Sequence, residues 1–351
     1  MDLPKTSPAA ILTQQNKELL VTEIKLPEHL EAGQVLVELF YSGICGSQIG
    51  EIFGVKGPDK WLPHLLGHEG VGRVLALGDG ITTVKPGDKI VAHWRPSVGI
   101  DAKPPKYYLD KTTINAGKVT TFNKFAVISE NRLTKIPSDY DEKIATLFGC
   151  AITTAFGTID NVAEVKLGDK VVVYGAGGVG LNLVQGAILA GASQVIAVDN
   201  FENRLLLAKS LGATHTLTGK KEEVIKRIDE ITGKSLDIFI DNTGNTEIIS
   251  IGYEIISKQG KLVLVGVPAH RSKITIHSLD MHFGKTVRGS HGGESNPHID
   301  IDKYMSLLSQ RKVDLSKVIT KVEPLFKVNK LITDMKQGTS AGRCVIDLRL
   351  S

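Results

Sequence analysis

The chain has 351 residues, of which 42% are hydrophobic and 23% charged; this length suggests two domains of about 150 residues, and this balance excludes a disordered chain. Its 42 Lys plus Arg against 38 Asp plus Glu leave a net charge of only +4, dispersed along the chain, so no nucleic-acid partner is expected. Three widely spaced cysteines exclude a disulfide framework and point to a reducing compartment, here taken as the cytoplasm.

The opening MDLPKTSPAA has no apolar run of a secretory signal. Residues up to about 150 then read as β-rich, with β-branched runs such as Val35–Phe40 and Asp88–Ala92 between Gly and Pro punctuation. The stretch Arg95–Thr121 carries Pro96, Pro104 and Pro105 and is expected to be an irregular surface lobe. From about 152 to 289 strands and helices alternate. The strands are placed at Lys170–Tyr174, Gln194–Asp199, Asp237–Asp241 and Lys261–Val265, with helices such as Asn203–Leu211 and Glu222–Ile231 between them. That alternation predicts a parallel sheet covered on both faces. A helix near Asp302–Gln310 and a strand at Arg343–Leu348 complete the tail. Val171–Val198 contains no charged residue, yet six glycines interrupt it, which favours strand, turn, helix and strand over a membrane span.

Within that stretch, Gly175-Ala-Gly177-Gly178-Val179-Gly180 follows a strand and opens a helix. In G-x-G-x-x-G the first glycine permits the turn, the second admits a pyrophosphate, and the third lets helix pack on strand. Asp199 stands 19 residues beyond Gly180, at the end of the next strand, where a carboxylate accepts ribose hydroxyls and disfavours a 2′-phosphate. The expected cofactor is therefore NAD. Arg204 is placed to reach the adenosine ribose or a phosphate.

Gly67-His68-Glu69-Gly-Val-Gly72 is not H-E-x-x-H, because Gly72 stands where the second histidine would be. Alone, Cys45 and Cys150 read either as buried apolar thiols or as ligands, and His68 either as a hydrogen-bonded structural histidine or as a ligand.

Taken together, Gly67-His68-Glu69-x-x-Gly72-x5-Gly78-x-x-Ile81, the Cys45 and Cys150 segments and the glycine loop resemble the zinc-dependent medium-chain alcohol dehydrogenases. Leu147–Gly157 and Gly175–Gly180 are most similar to the glutathione-dependent formaldehyde dehydrogenase branch. The resemblance implies an α/β fold: a GroES-like β-rich catalytic domain (1–151 and 290–351) with an inserted doubly wound Rossmann domain (152–289). It implies that Cys45, His68 and Cys150 hold a catalytic zinc and that Glu69 can approach the metal. By the same resemblance Ser47 relays the alcohol proton, Val265 and Val267 line the nicotinamide, and Arg343 meets the pyrophosphate. Trp94 aligns with a pocket aromatic, and Arg95 and His291 are further candidates for substrate contact, Arg95 otherwise being a loop charge and His291 a turn residue. Implied partners are a small-molecule alcohol or aldehyde and a second copy of the chain, as homodimer or homotetramer, with no membrane.

Three departures stand out. His93–Val119 contains no cysteine, so the branch's structural zinc is not expected. Gln48 replaces an aspartate that orients the zinc histidine, and Gly50 replaces a histidine that relays protons. The leftover Cys344 reads as a core residue. Two alternatives remain at this point: a zinc-free reductase of the same superfamily, and a protein that binds NAD without turnover.

Overall fold

Alternation with period two explains how the first 135 residues form two cores. The strands are β1 (Thr6–Leu12), β2 (Leu20–Lys25), β3 (Gln34–Gly43), then helix α1 (Gly46–Ile52), and β4 (His64–Leu65), β5 (Glu69–Leu77), β6 (Lys89–His93), β7 (Tyr107–Leu109), β8 (Thr112–Ile114), β9 (Phe125–Ser129) and β10 (Leu133–Lys135). Ala10, Leu12, Val35, Val37 and Leu39 enter one cluster, while their neighbours Ala9, Ile11 and Leu36 enter another. Strands β1 and β3 thus bury apolar side chains on both faces. One sheet has the order β4-β1-β2-β7-β8; the other contains β10-β6-β5-β3, with β9 also on β3.

The structure is a computed structural model describing residues 3–350. It divides the chain into one unit of Met1–Cys150, Asn296–Gln337 and Arg343–Ser351, and a second of Ala151–Ser295 and Gly338–Gly342. The expected irregular lobe differs in one respect: β7 and β8 form an antiparallel hairpin within it. Asp110, at φ 51°, turns the chain, a left-handed conformation that Asp tolerates. Tyr107 is wholly buried, and its hydroxyl accepts the Val127 amide at 2.7 Å.

After α2 (Glu142–Thr146), the second unit begins with α3 (Ala151–Gly157). It continues as β11 (Lys170–Tyr174), α4 (Gly178–Leu189), β12 (Gln194–Val198), α5 (Glu202–Ser210), β13 (His215–Leu217), α6 (Lys221–Thr232), β14 (Leu236–Asp241), α7 (Thr246–Ile255), β15 (Ile256–Leu264), α8 (Ser278–His282) and β16 (Thr286–Gly289). All strand pairs are parallel, in the order β13-β12-β11-β14-β15-β16. Val171, Val172 and Val173 are wholly buried, as are Leu181, Leu183 and Val184 of α4. Double-sided burial is therefore the reason this stretch lacks charge. Among the described residues no helix is long and apolar enough to cross a membrane.

The chain returns to the first unit as α9 (Pro297–Gln310), β17 (Ile319–Pro324), α10 (Val328–Lys336) and β18 (Arg343–Asp347). Helix α9 starts five residues before the expected position because Pro297 occupies its first turn, where a missing N–H costs nothing. Strand β18 lies antiparallel to β3, and Cys344 is buried in the larger core.

Candidate metal centre and dinucleotide site

Three chain segments converge in the first unit. Strand β3 ends at Gly43 and delivers Cys45 as the residue capping α1. His68 precedes β5, and Cys150 is the last residue before the second unit. Their ligand atoms lie within 4.8 Å of one another, with the two sulfurs 4.0 Å apart. Two sulfurs bound tetrahedrally to one zinc at about 2.3 Å would stand about 3.8 Å apart. His68 Nε2 is buried without a hydrogen-bond partner, a state that costs free energy unless something ligates it. The donor set and the orphaned nitrogen both fit zinc.

A second group, Glu51, Asp59 and His64, also gathers ligand atoms within 4.8 Å, but its chemistry differs. Both His64 ring nitrogens meet oxygen, Leu65 O and Asp59 Oδ2, each at 2.8 Å. Both ring nitrogens are thus already engaged with protein oxygens, unlike His68 Nε2.

Around the first cluster the electrostatics are set by a buried ion pair. Glu69 is wholly buried and Arg343 is 2% exposed. Arg343 donates from Nε to Glu69 Oε1 at 2.6 Å and from Nη2 to Oε2 at 2.5 Å. Burial opposes the Arg343 charge, but Glu69 and Cys45 outweigh it and push its pKa well above the usual value. The hydrogen bond from Cys150, aided by Arg343 and His68, outweighs burial and holds the Cys45 thiol well below the usual thiol range; the same contact pushes Cys150 well above it. Gly43 and Gly149 make room for this pair, since a Cβ on Gly43 would overlap the Glu69 carboxylate and one on Gly149 would meet the Glu69 Cβ at 2.7 Å. Sequence reading assigned Arg343 to a pyrophosphate. Its observed partner is Glu69, which no local pattern signals, and neither Gly43 nor Gly149 was singled out.

Ser47 is half-buried in the first turn of α1. Gln48 is 2% exposed and accepts the Cys45 amide through Oε1 at 3.1 Å, so it braces a cysteine rather than a histidine. Trp94 meets His68 edge-on, ring centroids 6.5 Å apart, and the Arg95 guanidinium lies 5.9 Å from the Trp94 ring. The cysteine-free lobe is tied by hydrogen bonds: Ile100 N to Glu130 Oε2 at 2.7 Å, Ala102 N to Ser129 Oγ at 2.9 Å and Gln34 Nε2 to Lys103 O at 3.0 Å.

His93 illustrates a satisfied histidine beside this site. Nδ1 donates to Arg95 O at 2.8 Å and Nε2 accepts from Thr134 Oγ1 at 3.0 Å. Burial, with nearby Arg132, lowers its pKa from 6.5 to about 4. Between those values the unfolded chain binds a proton that the folded chain does not, so stability is present above pH 6.5 and is lost as pH falls towards 4. We expect this term to amount to about 3 kcal/mol. His93→Asn should flatten that part of the stability–pH curve in urea titrations; an unchanged curve would reject the assignment.

In the second unit the glycine loop has the expected division of labour. Gly175 sits at φ 100°, and a Cβ on Gly180 would overlap Gly175 O. A Cβ on Gly177 would meet no protein atom within 4 Å, leaving backbone open to a phosphate at the start of α4, where Gly178 and Val179 form the first turn. Asp199, 6% exposed, accepts Ala176 N at Oδ2 (2.8 Å) and Phe201 N at Oδ1 (3.0 Å). The Arg204 Nη1 lies 3.5 Å from Oδ2. Val265 and Gly266 amides bond to Asp241 O at 2.8 and 3.0 Å, Val267 is 53% exposed, and His291 is exposed. A cavity of about 500 Å³ opens at the carboxyl ends of β11 and β14, lined by Tyr174, Asn200, Lys220, Lys221 and Thr243 among others. That is the point where strand order reverses and nucleotides bind in such sheets. None of these lining residues belongs to a short motif, and position at a strand end is the only sequence signal for them.

Residues 31–138 match the model of the alcohol dehydrogenase GroES-like domain and residues 178–310 that of the zinc-binding dehydrogenases. The chain is 31% identical to an NDMA-dependent alcohol dehydrogenase of Amycolatopsis methanolica, over 94% of this chain and 96% of the relative. It is 28% identical to the S-(hydroxymethyl)glutathione dehydrogenase of Paracoccus denitrificans, over 96% and 99%. Among solved structures, benzyl alcohol dehydrogenase of Acinetobacter calcoaceticus superposes with TM-score 0.87 at 25% identity, covering 98% of this chain and 99% of that one.

Proposed function

The chain belongs to the zinc-dependent medium-chain alcohol dehydrogenases, and from that premise we propose how its residues divide the work. It is an oxidoreductase acting on small-molecule alcohols or aldehydes with zinc and a nicotinamide dinucleotide. Cys45, His68 and Cys150 hold a single zinc. Two thiolates and a neutral imidazole cancel its charge and leave one position for a substrate oxygen. When bound, zinc supplies Lewis acidity at that oxygen, and the dinucleotide, taken as NAD, accepts or returns the hydride.

The chain's own groups do the rest. The Ser47 hydroxyl takes the alcohol proton and passes it to water, since Gly50 offers no side chain to continue the relay. Trp94 walls the open side of His68 and keeps water from it. Glu69 acts through the charge balance of the cysteine pair, its two oxygens being held by Arg343. The glycine loop and Asp199 seat the dinucleotide, with Val265 and Val267 offering backbone to the nicotinamide. The lobe needs no second zinc, because hydrogen bonds to Glu130 and Ser129 replace it. Strand β16 is the open edge of the six-stranded sheet, and Leu279, Met281 and Phe283 just before it are 53%, 43% and 60% exposed; we assign that edge to a second copy of the chain. Three buried cysteines that form no disulfide suit a reducing cytoplasm.

The observation that carries this reading is the orphaned His68 Nε2 facing two thiols. Its test is NADH formation or consumption across simple alcohols and aldehydes, polyols, nucleotide sugars and S-hydroxymethylglutathione, with zinc measured in parallel. We expect turnover on part of the panel at about one zinc per chain. Full activity in metal-free protein would overturn the zinc assignment, and dinucleotide binding without turnover on any compound would overturn the catalytic one.

A further inference from the structure

The adenosine end of the second unit departs from what a lone carboxylate at that position would do. A carboxylate discriminates against a 2′-phosphate by presenting negative charge and free lone pairs to the ribose. Asp199 has spent one lone pair of each oxygen inward, on the Ala176 and Phe201 amides, and it is 6% exposed. Its charge is opposed by Arg204, 3.5 Å away. That guanidinium is held over the Phe201 ring at 4.6 Å, which limits its freedom to swing aside. The next residue outward is the uncharged Asn200, which lines the 500 Å³ cavity together with Lys220 and Lys221. Lys221 pairs with Glu247, whereas Lys220 forms no ion pair among the described residues. At this strand end, then, an acid with both oxygens on backbone amides is paired with Arg204, and Lys220 lines the cavity that begins at the next residue, Asn200.

We propose that this end of the site admits a 2′-phosphate, so that NADP binds alongside NAD, and that Arg204 and Lys220 decide it. The inference rests on reading the second unit as the dinucleotide site and goes beyond that reading. Asp199 here acts mainly as a brace for the glycine loop. A phosphate beside Arg204 gains a planar double donor, and Lys220 adds a second cation.

Calorimetric titration of the full-length protein with 5′-AMP and with adenosine 2′,5′-bisphosphate tests it without turnover. We expect the bisphosphate to bind within about tenfold of AMP. Arg204→Gln, and separately Lys220→Gln, should each move the ratio of the two affinities at least about fivefold against the bisphosphate. A bisphosphate more than about tenfold weaker than AMP in the unaltered protein overturns the inference while leaving the dinucleotide site intact. A ratio unmoved by both substitutions overturns the roles of these residues. Binding of neither nucleotide overturns the dinucleotide reading itself.

Discussion

Cys45→Ser should purify folded, bind the dinucleotide normally, and hold almost no zinc. Serine keeps the size of the side chain at the start of α1, and the Gln48 bond to the residue 45 amide does not depend on sulfur. What is lost is one of two sulfurs 4.0 Å apart. A serine hydroxyl does not ionise at neutral pH and is a harder, shorter donor, so the three-ligand set becomes two. Changing a group that merely supports a metal ligand lowers affinity about 10–100-fold, and removing a ligand should exceed that. Turnover should fall at least in proportion, because the substrate oxygen loses its only strong electrophile. Elemental analysis gives the metal content and ADP-ribose titration the integrity of the second unit. Retained zinc with retained turnover would reject Cys45 as a ligand. Loss of ADP-ribose binding together with turnover would show general unfolding instead.

The second large effect concerns Arg343. Arg343→Met leaves the Glu69 carboxylate wholly buried without its two donors. Breaking one side of a buried pair costs about 3–5 kcal/mol, because an uncompensated charge remains. For a protein of this size that corresponds to a melting point lower by roughly 5 °C. The double variant Glu69→Gln, Arg343→Met removes both charges and should recover more than half of that loss, as a neutral amide in the same space is far cheaper to bury. The measurement is thermal unfolding of the single and double variants at one pH and one zinc concentration. A single variant as stable as the parent, or a double variant no better than the single, would contradict the pairing.

Much of the architecture was legible in the chain itself because its signals are local. Strand–helix alternation placed β11, β12, β14 and β15, with helices α5 and α6, to within a few residues, and did not give the three-residue β13. The largest difference was the start of β15, at Ile256 rather than Lys261. The lobe was harder to read, since a three-residue strand pair closed by Asp110 has too few residues to show a period. Helix α9 begins at Pro297 rather than near Asp302, because a proline in the first turn forfeits no intrahelical bond and extends the helix beyond its apolar pattern. At the site, the glycine loop was legible because three backbone demands fall at fixed spacing. The ligands were legible only through resemblance, since His68 by itself matches no complete metal motif.

Sequence alone therefore determined the fold class, most of the order of strands and helices, and the glycine loop, all of them properties of neighbouring or regularly spaced residues, while the candidate zinc side chains came through family resemblance. Only the tertiary structure decided which of those side chains are free to act. Arg343 reaches Glu69 across 274 residues of chain, His64 closes on Asp59 while His68 keeps an unused nitrogen, and Asp199 turns its oxygens inward. The physical reason is the same in each case. A buried polar atom must find a partner, and which partner is in reach depends on segments brought together by packing, not on anything within the local sequence.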